Sequence, residues 1–114
     1  MPEVVDLRKL QEVALWATIL MNVEFDPHKS ERCFESRGFD FEYVAHIFLD
    51  ANRLIEEDLR YDYGEQRYNT LGQIDGRLFA VTYTLREAAT VRIISARKAN
   101  KREVRRYEKF NSPC

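Results

Sequence analysis

Between residues 66 and 97 the chain carries three runs rich in β-branched and aromatic residues, 66–72, 77–84 and 90–97, with the turn signals Asp75-Gly76 and Glu87-Ala88-Ala89 in the short gaps between them. Connections this short join antiparallel neighbours, because a parallel pair needs a crossover of a dozen or more residues. The second half is therefore expected to form a three-stranded meander. A short strand at 23–25 is a candidate fourth member. Everything before and after must cover that sheet.

The remaining segments change period. Asp26 precedes Pro27 as a helix cap precedes a residue that needs no amide partner, so a helix is expected over 28–37, stopped by Gly38. Asp40 is positioned to cap a second helix, in which Phe41, Val44, Ala45 and Phe48 fall on one stripe and leave Glu42 and His46 toward solvent. Residues 4–20 repeat apolar positions at three- and four-residue steps and are read as a further helix. A last helix is expected over 100–110, with Val104 and Tyr107 as a thin apolar stripe among charges. The architecture this predicts is α+β, with helices packed on one face of a twisted antiparallel sheet and a C-terminal helix.

At 114 residues one core is expected. No apolar run approaches the roughly 20 residues of a membrane-spanning helix, and VALWATILM at 13–21 lacks the flanks of a secretory signal. Cys33 and Cys114 match no disulfide framework or zinc spacing, and His28 and His46 stand far apart, so no metal and no cofactor are expected. A reducing cytoplasm suits two free thiols.

The formal net charge of -1 hides a polarity. Residues 86–109 hold nine basic side chains against three acids, a local +6, which leaves -7 for the rest. Such a field draws polyanions. Simple alternation along 91–97 places Val91, Ile93, Ser95 and Arg97 on one face and Arg92, Ile94 and Ala96 on the other. Arg97 ends that strand, Arg67 lies on the first strand of the meander and Arg86 at its hairpin end. Three guanidiniums converging on one face are costly unless an anion joins them, since each can fork two donors to a phosphate. The competing account is that each arginine pairs with an acid such as Glu65, Asp62 or Glu103 and solubilises an edge. The helix 101–109 is equally open to a reading as a solvated face. His28, in a helix first turn, and His46 are read as structural rather than as general bases, and the tyrosines at 61, 63, 68, 83 and 107 as packing residues before base-stacking ones.

Taken together, EFDPHK (24–29), SRGFDFE (36–42), VAHIFLD (44–50), DYGEQRYNTLG (62–72), LFAVTYTLRE (78–87) and RIISARKANKREVRRYE (92–108) resemble the BrnT toxin family, with motifs in register over 23–108. The ISAR stretch and the basic helix after it are the most specific part. The resemblance implies a RelE-like fold and a metal-independent endoribonuclease toxin of a type II toxin–antitoxin pair. Its partners would be RNA and a BrnA-like ribbon-helix-helix antitoxin. It divides the chain into an N-terminal extension (1–20), a toxin domain (21–110) and a tail (111–114). Carried onto matching positions, it points to Arg67, Arg86 and Arg97 as catalytic, and to Lys29 and Arg37 as RNA contacts beside Arg92, Lys101 and Arg102. Glu65 and Tyr83 are the candidate proton acceptors. Ser36-Arg37-Gly38 stands where family members carry Lys-His-Gly, so a guanidinium replaces an imidazole. The alternative from another class is a non-catalytic nucleic-acid-binding subunit using the same basic surface.

Overall fold

Asp26 lies in extended backbone and accepts the His28 amide at 2.9 Å, while Pro27 fills the first turn of helix α1, Pro27–Arg37. Gly38 ends it at φ 85°, a left-handed conformation that a β-carbon would strain, and its N–H closes on the Phe34 carbonyl. Asp40 caps α2, Phe41–Val44, by accepting the Tyr43 amide at 2.8 Å. Helix α2 then tightens into a 3-10 segment, Ala45–Leu49. These starts and stops are where the sequence places them.

The computed structural model describes residues 3–6, 22–87 and 89–113. Its strands are β1 Glu3–Asp6, β2 Asn22–Phe25, β3 Leu54–Glu57, β4 Arg67–Ile74, β5 Arg77–Arg86 and β6 Thr90–Lys98, followed by helix α3, Lys101–Phe110. They form one sheet in the order β1-β2-β6-β5-β4-β3. The β4-β5-β6 meander is antiparallel, with Asp75 and Gly76 both at positive φ in its first turn. Strand β2 pairs with β6 in parallel. The sheet is thus mixed rather than wholly antiparallel, because the chain crosses through α1, α2 and the meander before returning beside β2. Residues 3–6 are a strand on β2, not the start of a helix; the rest of the helix expected over 4–20 lies outside the described residues. Strand β3 is a short edge that its Leu-Ile-Glu-Glu sequence did not announce.

The expectation that the helices share one face is corrected. One face is packed by α1, α2 and the 3-10 segment around Val23, Val44, Phe48, Val81 and Ile93. On the opposite face α3 lays Val104 and Tyr107 over Leu71, Leu78 and Ala80. The turn after β6 folds α3 back over that face, and its narrow apolar stripe covers only one end. A hydrogen bond from the Tyr107 hydroxyl to Asp50 at 2.6 Å pins it, and Asp50 also accepts the Gln73 amide at 2.8 Å. No helix among the described residues is long and apolar enough to cross a membrane.

At Gly72 strand β4 lies close against Ile47 of the 3-10 segment. A β-carbon there would sit 2.5 Å from Cγ1 of Ile47, which is wholly buried and has nowhere to move. Gly72→Ala is expected to destabilise the fold by about 1–3 kcal/mol, the cost of overpacking a filled core. A fall in the urea midpoint at unchanged slope measures it.

Candidate nucleic-acid interface

The positions of the arginines follow from one irregularity. Along β5 and β6, Tyr83 stands opposite Ile93 and Thr82 opposite Ser95, so Ile94 is an extra residue, a β-bulge. Simple alternation grouped Arg97 with Val91 and Ile93, away from Arg92. The bulge reverses this: Ala96 turns into the core at 4% exposure, and Ser95 and Arg97 join Arg92 on the face left open by α1 and α2. Register then orders that face in rows. Arg67, Thr84, Arg92 and Glu24 form one row; Glu56, Asn69, Thr82 and Ser95 the next; Leu54, Leu71, Ala80 and Arg97 the third. Arg86, two residues beyond Thr84, shares the face.

Two charged groups result. In the first, Glu65 accepts Arg67 at 3.2 Å and lies 3.7 Å from Arg86, while Glu24 pairs with Arg92 at 3.3 Å and Arg86 at 4.0 Å. The Arg67 guanidinium rests over the Tyr63 ring, 4.1 Å from its centroid. The second group lines a cleft of about 390 Å³ between the sheet and α3. Arg37 reaches it from the end of α1, Arg60 from the β3-β4 loop, Arg97 from β6 and Arg106 from α3. Asn69, Thr82 and Ser95 line it with neutral polar groups, and the Thr82 hydroxyl donates to Asn69 at 2.7 Å.

Arg97 is the most tightly held of the sequence-selected residues. Its two terminal nitrogens fork onto Glu103 at 2.7 and 2.8 Å, and Glu103 also completes the capping box of α3 with Asn100. The Arg97 hydrogen bonds keep the Glu103 carboxyl below its ordinary range. Arg106 pairs with Glu56. Every sequence-selected arginine of the open sheet face therefore has a carboxylate partner, as the edge-solubilising account requires. Yet seven guanidiniums (37, 60, 67, 86, 92, 97 and 106) share that surface with five carboxylates (24, 56, 58, 65 and 103). That surface carries an excess of two positive charges, which an anion would balance.

Arg60 was not among the residues singled out from sequence. The Asp58 carboxylate, 1% exposed, accepts Arg60 Nε at 3.0 Å, Nη2 at 2.9 Å, its backbone amide at 3.1 Å and the Tyr63 hydroxyl at 3.1 Å. Arg60 itself stays exposed at the cleft mouth. The spacing Asp58-Leu59-Arg60 was the available signal, since an aspartate commonly accepts the amide two residues on. The Arg60 hydrogen bonds hold the Asp58 carboxyl well below the usual carboxylate range. A depressed value stabilises the folded state above the unfolded value, near pH 4, and that stabilisation is lost as pH falls further. Asp58→Asn is therefore expected to lower stability at pH 7 and by progressively less below about pH 4. Urea midpoints of both proteins across pH 2 to 7 check this; a gap that stays constant contradicts it.

The other sequence-selected residues are dispersed. Lys29, on α1, reaches the bulge, with Nζ 3.4 Å from the Ile94 carbonyl. Lys101 and Arg102 are exposed in the first turn of α3. Tyr83 is 6% exposed, stacked on Tyr68 and edge-on to Phe48 in the core, on the face opposite the arginines. Burial raises its phenol further. That placement withdraws Tyr83 as a proton acceptor. Glu65 lies among the arginines. His46 Nδ1 lies 2.9 Å from the Tyr43 carbonyl, which accepts from it, away from that face, and His28 is exposed on α1.

Residues 25–103 match a family model described as the ribonuclease toxin BrnT of type II toxin–antitoxin systems. Among solved structures the chain is similar to the crystal structure of the Brucella abortus ribonuclease toxin BrnT. The TM-score is 0.51 at 20% identity, covering 68% of this chain and 94% of that one. At that identity the likeness speaks for the fold. A comparison with curated proteins finds no match.

Proposed function

Because the chain belongs to the BrnT family of ribonuclease toxins of type II toxin–antitoxin systems, we propose that it is an endoribonuclease that cuts single-stranded RNA across its arginine-bearing sheet face without a metal, on a RelE-like plan. The observation that carries this reading is the register of β4, β5 and β6, which sets Arg67, Arg86, Arg92 and Arg97 on one face with Glu65 between Arg67 and Arg86.

The reaction is transesterification. Glu65 accepts the proton of an RNA 2′-hydroxyl, the oxygen attacks the adjacent phosphorus, and the 5′-oxygen leaves with a proton from solvent. The products are a 2′,3′-cyclic phosphate and a 5′-hydroxyl. Arg67 and Arg86 stabilise charge developing on the phosphoryl oxygens. Arg97 stands two rows away, roughly 13 Å along the strands at about 3.3 Å per residue. It therefore holds a neighbouring phosphate in the cleft rather than the reacting one. The antitoxin of this family would be a BrnA-like ribbon-helix-helix protein, forming a hetero-oligomer that covers the arginine face.

Purified protein incubated with single-stranded RNA in excess chelator is expected to yield fragments ending in cyclic phosphate. RNA affinity should fall with salt, at about 0.7 in log–log slope for each phosphate engaged. Salt-sensitive binding without fragments would instead favour the non-catalytic binding subunit. Neither binding nor fragments would reject both.

A further inference from the structure

The cations on the arginine face are mostly paired; those at the far end of the helix-covered face are not. There α1 stops at Gly38 and leaves the beginning of β5 and the end of β6 uncovered. A recess of about 390 Å³ remains, within the range of ligand pockets, roughly 300–1,000 Å³. Its floor is an edge-to-face pair, Phe39 and Phe79, with ring centroids 5.0 Å apart. Its wall is Phe34, an aromatic left 57% exposed on the last turn of α1. Register puts Lys98 opposite Phe79, and Arg77 lies two residues before it on the same side of the strand. Arg37 completes the rim.

Among the described residues, none of Arg37, Arg77 and Lys98 has an ion-pair partner. Asp40 also lines the recess, but its carboxylate caps α2 through the Tyr43 amide, and the Tyr43 hydroxyl is turned to Asp75 at 2.9 Å. Three unpaired cations thus surround an apolar, aromatic hollow. An aromatic wall offers a stacking surface to any flat ring, and guanidinium and ammonium groups around it fit a phosphate attached to that ring. Arg37 lines both this recess and the cleft that holds Arg97, so the two adjoin at that side chain.

We propose that this recess is a nucleotide subsite, in which Phe34 stacks on the base of a nucleotide flanking the cleft and Arg77, Lys98 and Arg37 hold its phosphate. The proposal rests on the ribonuclease reading for its substrate, single-stranded RNA, but its chemistry is that of any base with an attached phosphate.

The test uses the full chain and three probes: adenosine 5′-monophosphate, adenosine and inorganic phosphate. Adenosine monophosphate is expected to shift the amide resonances of Gly38, Arg77 and Lys98 and to bind at least ten-fold more tightly than either fragment. Phe34→Ala should weaken it by about ten-fold, the scale of one lost base–aromatic stack. Arg77→Glu should weaken it as well; both side chains are exposed, and circular dichroism verifies the fold of each variant. In cleavage assays Phe34→Ala should raise KM about ten-fold for a long RNA oligonucleotide and leave a dinucleotide unchanged. Inorganic phosphate binding as well as the nucleotide, or resonance shifts confined to Ser95, Thr82 and Arg97, would overturn the subsite. If RNA is cleaved but neither variant alters nucleotide binding, the subsite fails and the ribonuclease reading stands. If the nucleotide binds as described and no RNA is cut, the subsite stands and the ribonuclease reading fails.

Discussion

Expression of the Arg67→Ala/Arg97→Ala double variant is expected to leave cells growing where the unaltered chain arrests them, and to slow RNA cleavage in the test tube by about a thousand-fold or more. Removing a single donor that stabilises developing charge typically slows a reaction by about 10²–10³. Arg67 is proposed in that role, and Arg97 adds the loss of a positioned neighbouring phosphate. Both side chains are partly exposed, so the fold should survive. Glu103 would lose its fork but keep the Asn100 amide, 3.0 Å away, in the capping box. Arg97→Lys separates charge from geometry, because an ammonium cannot present two parallel donors. It should retain much of the RNA affinity while lowering cleavage. Arrest equal to that of the unaltered chain in the double variant would sink the site assignment; loss of circular dichroism would show that the variant tests folding instead.

What could be read from the sequence was local. The caps at Asp26 and Asp40, the stop at Gly38 and the turn at Asp75-Gly76 depend on side chains acting on their own backbone within a few residues, and each appears at its expected place. The buried stripe Phe41, Val44, Ala45 and Phe48 is likewise a matter of helical spacing. The failures were relational. A period-two count cannot see that Ile94 is surplus, because the surplus exists only against the partner strand, and one residue of slip exchanges the faces of Ser95, Ala96 and Arg97. The side of the sheet that α3 covers depends on whether Val104 and Tyr107 find Leu71 and Leu78, which nothing within α3 specifies. Tyr83 lies between Thr82 and Thr84, which point to the open face, and strand alternation sends it into the core. Arg60 was passed over because its importance comes from the buried carboxylate of Asp58, and burial is a property of the fold. The charge asymmetry draws attention to Arg92 and Arg97, but it does not show that Glu24 and Glu103 are brought against them.

Phe48→Ala should abolish arrest by a different route, and the contrast separates scaffold from site. Phe48 is 1% exposed and meets Tyr83 edge-on, with ring centroids 5.2 Å apart; Tyr83 in turn stacks on Tyr68, the residue after Arg67. Truncating the ring removes about 3–5 kcal/mol, the combined loss of burial and the cavity left behind. Domains of this size are stable by only about 5–15 kcal/mol. At roughly 4–8 °C for each kcal/mol, the melting temperature should fall by about 12 °C or more. Arrest would then fail at growth temperature because too little folded protein remains. In the cold, where the variant is folded, its register still presents Arg67, Arg86 and Arg97 on one face, and purified protein should cut RNA at near the unaltered rate. The Arg67→Ala/Arg97→Ala protein should behave oppositely, folded at both temperatures and inactive at both. If Phe48→Ala remains inactive in the cold while fully folded, the helix-covered face contributes to the reaction directly, and the division of labour between the two faces of the sheet is wrong.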